Sequence, residues 1–260
     1  YISGLSLEGF NLMSELVYVK DSALRIAKAL HDIALCRGLA ATARRLLVFY
    51  NQVLRRQWSV MSPLRQFGAA HVPLGLVQRM EARPIEWEAY YHFDVERGQF
   101  ADFAPNDLDA QELLYAYVHR VPRFDIDHEH AVLQPLTRSK VRCELVVVPD
   151  FEFDADLHGA GGVELLLTIE DSDGQKLLHR ESVFVKPEDL QDQKPIAFTA
   201  LLRVPDPKPT HFFVRAAAVG WIGSETSAAL DLLSTALPAP AQPPRSLPTY
   251  ANGDDGAVLE

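Results

Sequence analysis

Ser22, Arg25 and Lys28 recur at three-residue intervals in the stretch VYVKDSALRIAKALHDIALCR, residues 17–37. A hydroxyl followed by two cations on one helical row can bind phosphate oxygens. At ~1.5 Å rise per residue, successive members of the row stand about 4.5 Å apart along the axis, a spacing that a phosphate backbone can track. Arg25 and Lys28 also read as ordinary solvated helix charges, so the row alone leaves both readings open.

The element that must present this row is a helix. Asp21 or Ser22 can cap its start with a side-chain oxygen, and Gly38 supplies its stop. Ile26, Ala27, Leu30, Ile33 and Ala34 recur at helical spacing and form a stripe that must pack on something.

Charge distribution favours the phosphate reading. Residues 17–65 hold nine Lys and Arg (20, 25, 28, 37, 44, 45, 55, 56 and 65) against Asp21 and Asp32 only. Residues 66–122 hold four basic and nine acidic side chains, and the remainder is acidic too, in a chain of net charge −10. One basic region in an acidic chain is the footprint of a polyanion contact, without naming the polyanion.

With 48% hydrophobic residues over 260 positions, the chain reads as globular and long enough for about two domains. No apolar run approaches a membrane span and no signal-peptide pattern opens the sequence, which gives the expectation of a soluble, intracellular protein with no membrane partner. The opening on Tyr1, with LEGFNL entering without a cap, reads as a piece of a longer polypeptide. Cys36 and Cys143 have no close-spaced partner and are expected to be two buried thiols.

Residues 1–67 read as all-helical. A second helix over 39–58 carries Ala43, Leu46, Leu47, Tyr50, Val53 and Leu54 as a stripe with Arg44, Arg45, Arg55 and Arg56 outside it. Pro63 turns the chain into a module over 68–122 made of short helices at 72–81, 87–93 and 107–121, the last capped by Asn106 or Asp107. From about 125 the period changes to two, with Val141, Cys143, Leu145 and Val147 alternating against polar neighbours. Further strands are expected at 163–170, 175–186, 195–203, 211–219 and 226–235, so that 123–238 reads as an immunoglobulin-like or fibronectin-like sandwich. Residues 239–260, proline-rich then polar, read as an extended tail.

Other constellations carry less. His119, His128 and His130 with Asp125, Asp127 and Glu129 hold metal-ligand types but lack the H-E-x-x-H spacing, and DIDHEH reads as a solvated connector. Asp150, Glu152, Asp154 and Asp156 read as an exposed edge rather than a calcium loop. Trp221 reads as a core anchor of the sandwich. No nucleotide-binding loop and no nucleophile elbow occurs, so no catalytic residue and no metal ligand is assigned.

The phrases YISGLSLEGF (1–10), SALR (22–25), LCRG (35–38), MSPLRQF (61–67), QPLTRS (134–139), PDFEFD (149–154), IEDSDG (169–174) and GWIGSET (220–226) resemble one family. It is the Sec sixty-three homology unit of the large two-cassette Ski-two-like RNA helicases, and the chain is most similar to the first unit of the spliceosomal, Brr-two type. The ribosome-rescue and signal-cointegrator helicases are the near alternative, and the protein-translocation relative a more distant one.

The resemblance implies a helical bundle, a helix-loop-helix module and an immunoglobulin-like domain stacked on two RecA-like domains that lie outside this chain and would hold ATP and Mg. It implies that Ser22, Arg25 and Lys28 sit on a ratchet helix touching single-stranded RNA. It also implies spliceosomal proteins as partners, a nuclear location and no cofactor in this piece. The sequence departs from the family at 93–118, where the module is acidic and lacks a basic glycine-containing turn. The opening of the bundle is also missing, which leaves apolar surface uncovered.

Overall fold

The computed structural model describes residues 2 and 9–238. The phrase at 1–10 falls mostly, and the tail at 239–260 wholly, outside the described residues.

The helix α1 runs from Phe10 to Cys36, 27 residues and about 40 Å at the usual rise. It begins a full three turns before the expected cap. Asp21 and Ser22 lie in its interior and the N-cap is Gly9. The reason is that residues 10–20 contain neither Gly nor Pro, so nothing interrupts helix propagation, whereas a capping residue needs non-helical backbone. The stop is as expected: Gly38 takes φ +71°, and the Leu39 N–H bonds back to Ala34 O at 3.0 Å, closing a left-handed helix end.

Gly38 also ties the helices to the sandwich, because its carbonyl accepts from the Leu177 N–H at 2.9 Å while the Ala40 N–H bonds Gln175 O. Helix α2 (Ala40–Arg55) follows, packed along α1. After a 3-10 turn at Pro63–Phe67 come α3 (Leu74–Glu81), a second 3-10 turn at Trp87–His92, and α4 (Leu108–Val118). Asp107 caps α4 by accepting from the Ala110 N–H.

Among the described residues, seven strands build two antiparallel sheets. β1 (Phe124–Thr137), β2 (Lys140–Pro149) and β5 (Ile196–Arg203) form one in the order β1-β2-β5. The other runs β4-β3-β6-β7, from β3 (Val163–Glu170), β4 (Leu177–Val185), β6 (His211–Ala218) and β7 (Thr226–Asp231). DIDHEH is therefore not a connector: it lies in β1, whose ladder with β2 breaks between Asp127 and Val132, so that residues 128–131 bulge out of register.

Alternation marks strands with one wet face, as in β2, where Val141, Cys143, Leu145 and Val147 point into the core. β3 departs from that rule because both of its faces are covered. Val163, Leu165, Leu167 and Ile169 face the other sheet, while Leu166, Thr168 and Glu170 lie buried on its opposite face, where Leu166 and Ala217 pack with Ala34, Leu35, Ala43 and Leu47. A single continuous core then links Leu64, Val77, Tyr90, Phe100 and Leu114 of the helical module to the inside of the sandwich. Trp221 is buried within it.

Candidate nucleic-acid interface

Helix α1 has three faces. Ala27, His31, Ala34 and Leu35 are buried toward α2 and the sandwich. Ile26, Leu30 and Ile33, expected to share that packing, instead stand 59%, 45% and 54% exposed, continuing a bare apolar line through Leu12 and Val19. Among the described residues nothing covers them. The one-stripe reading failed because the helix is apolar on two sides, and spacing alone does not distinguish a covered side from an uncovered one.

Between these faces runs the polar row. Arg25 is exposed and its Nη2 donates to Ser22 Oγ at 3.5 Å, so these two side chains are brought together. Lys28 turns away toward the buried side, half-buried, with Nζ 3.5 Å from the Asp32 carboxylate. The row is thus a hydroxyl and one open guanidinium, with the third member already engaged by an acid.

The basic region is also less free than its count suggests. Arg44 donates to Gly174 O at 3.0 Å and lies 3.5 Å from Glu170. Arg55 donates to Gly220 O at 2.6 Å and stacks 3.8 Å from the Trp221 ring centroid. Burial pushes the Arg55 pKa down to about 10. Arg65 forms a two-pronged pair with Glu81, at 2.7 and 2.6 Å. These arginines dock the helices onto the rest of the fold. Arg37 and Arg45 remain exposed without an ion pair among the described residues, and join Arg25 as cations that a polyanion can reach. The sequence count contained both, but only the fold separates them from the docking arginines.

Two buried polar groups lie beneath this surface. Glu170, 1% exposed, sits between Arg215 at 3.2 Å and Arg44 at 3.5 Å; burial raises its pKa and the two guanidiniums only partly offset that. His31, 2% exposed, has no hydrogen bond at either ring nitrogen, and burial followed by Lys28 lowers its pKa.

The histidines considered for a metal are dispersed by the fold. His130 pairs locally with Asp127 at 2.9 Å, His128 Nδ1 lies 3.3 Å from Ile126 O, and His119 Nδ1 lies 2.9 Å from Tyr115 O. Among the described residues no three His, Cys, Asp or Glu side chains gather closely enough to hold a metal ion. The acids at 150–156 form a loop, where Asp150 pairs with Arg123, Glu152 with Arg120, and Asp154 caps a short turn by accepting from the Asp156 N–H. Cys143 is buried, which pushes its thiol up to about 12, but Cys36 is exposed beside Arg180, contrary to the expectation of two buried thiols.

No described helix is long and apolar enough to cross a membrane. A family model described as the Sec63 Brl domain matches residues 1–231. The chain is 34% identical over 95% of its length to the DExH-box ATP-dependent RNA helicase DExH12 of Arabidopsis thaliana. It is 32% identical, again over 95% of its length, to the U5 small nuclear ribonucleoprotein 200 kDa helicases of Drosophila melanogaster and Homo sapiens. It spans 11% of the length of each of these relatives. A family match across most of the chain, with relatives above 30% identity, identifies it as a member of the Sec63 Brl domain family.

Proposed function

We propose that this chain is the non-catalytic RNA-channel and scaffold portion of an ATP-dependent RNA helicase of pre-mRNA splicing, acting in the nucleus. The observation that carries the reading is α1: a 27-residue helix presenting Arg25 and Ser22 on an exposed row, in a chain a third identical to RNA helicases. Arg25, with Ser22 beside it and Lys28 one turn further on, holds a single strand by charge and shape without reading bases. ATP and Mg belong to RecA-like domains outside this chain, and spliceosomal proteins are its wider partners. Within this reading the chain divides into a helical bundle (1–67), a helix-loop-helix module (68–122), an immunoglobulin-like sandwich (123–238) and a tail (239–260). Seven antiparallel strands in two sheets are consistent with that sandwich class.

The test is Arg25→Glu in the full-length helicase that carries this chain. Unwinding and RNA-stimulated ATP hydrolysis are expected to fall while RNA-independent ATP hydrolysis stays at its original level. Unwinding at the original rate overturns the channel role.

A further inference from the structure

Two cavities meet at the seam between the helical module and the sandwich. The first, of about 410 Å³, has Met80, Tyr90 and Trp221 in its walls and the 91% exposed Val60 on its margin. The second, of about 560 Å³, runs past Tyr91 and Asp125. They share Trp87, Glu88, Gly223 and Glu225, so they form one groove.

The groove is built by close approach. Gly223 takes φ +77°, and a Cβ there would stand 2.5 Å from Pro63 Cγ and 2.9 Å from Trp87 Nε1. Trp87 Nε1 in turn donates to Gly223 O at 3.0 Å, which sets the indole across the junction of the two cavities. A larger residue at 223 forces the wall open.

The charges inside are unequal. Arg123 is neutralised by Asp150 at 3.7 Å and lies over the Tyr91 ring, and Arg83 is held by Asp102 at 3.3 Å. Glu225 is engaged by Arg215 at 2.8 Å. Glu88 and Asp125 are exposed and form no ion pair among the described residues. The first cavity therefore sets an apolar, aromatic wall of Met80, Tyr90 and Trp221 beside Glu88, whose open carboxylate also borders the second cavity, where Asp125 is the other open acid.

From this complementarity we infer that the groove binds an extended protein segment carrying a bulky apolar side chain close to a Lys or Arg. The apolar residue fills the Tyr90–Trp221 half, and the cation meets Glu88 and Asp125, where removal from water strengthens the attraction. A nucleic acid does not suit the site, because those carboxylates repel phosphate. The inference does not rest on the RNA reading, since Arg25 and Ser22 lie outside the groove.

The test pans a phage-displayed library of random dodecapeptides against the whole chain. Peptides pairing Leu, Phe, Met or Trp with a nearby Lys or Arg are expected to enrich. Affinity of the best synthetic peptide should then drop at least tenfold in Glu88→Gln, Asp125→Asn, drop again in Val60→Asp, and weaken with salt. All three positions are exposed, so thermal melts of the variants should overlay the parent. Enrichment of acidic peptides, no enrichment, or binding indifferent to these substitutions overturns the inference. Arg25→Glu should leave peptide binding intact, which separates failure here from failure of the channel reading.

Discussion

Leu30 on α1 and Leu167 on β3 are the same side chain in opposite situations. Leu167 is fully buried between two sheets, while Leu30 is 45% exposed on a helix face that nothing described covers. The sandwich closes its core with its own strands, and its middle strand is covered on the second face as well. The helical hairpin closes one side only. It relies on polar clasps to stay seated: Asn51 exchanges bonds with the Gly220 N–H and Trp221 O, both at 2.9 Å, and Gln66 does the same with Ile222. Stability therefore sits in the sheets and orientation in the clasps, while the cationic surface rides on the less enclosed element.

Substitutions can break that contrast. Leu167→Ala should cost about 3–5 kcal/mol in urea unfolding, by lost burial and a cavity, whereas Leu30→Ala should stay within ~0.5 kcal/mol. Equal losses would mean that the α1 face is packed in solution.

Asn51→Leu should rank next, at about 2–4 kcal/mol, because it strands a buried N–H and a buried C=O on the sandwich side. A cost near zero would show that the clasp is dispensable.

Acidification sharpens the comparison further. His158 is buried with Nε2 2.7 Å from Arg120 O and Nδ1 accepting from the Asp154 N–H, and burial lowers its pKa, as it does for His31. Below the usual imidazole value of about 6.5 the unfolded chain takes up protons that these buried rings refuse, so stability is full above that value and falls as pH drops toward the lowered folded values. Unfolding midpoints measured at pH 7.5 and 5 should therefore decline, and less steeply in His158→Gln; an unchanged slope would remove His158 from the account.

The smallest expected effect is on the surface. Arg25→Gln should leave the melt unchanged but lower the log–log salt slope of single-stranded RNA binding by about 0.7, the loss of one phosphate contact. A shifted melt would instead place Arg25 in the structure's packing.

The sandwich was legible because strand periodicity depends on neighbouring residues in one chain: six expected strands lie where the seven observed ones do, apart from β1. That strand was hidden because His, Asp and Glu crowd a bulge, and polarity there describes a local break in pairing rather than the absence of a strand. The helix stop at Gly38 was legible for the same local reason, whereas the start was not, since Asp21 and Ser22 cap only if the helix does not already run through them.

By itself the sequence determined the helix bearing Ser22, Arg25 and Lys28, the basic surplus of its first quarter, and the change from helical to strand period near 125. All three are written in composition and spacing. Only the tertiary structure decided which cations remain open, sending Arg44, Arg55 and Arg65 inward and leaving Arg25, Arg37 and Arg45 outside. It alone assembled the groove of Trp87, Glu88, Asp125 and Gly223. Burial and charge pairing arise between residues distant in the chain, 16 positions for Arg65 and Glu81 and 130 for Arg44 and Gly174, and no local pattern encodes which partner a side chain will meet.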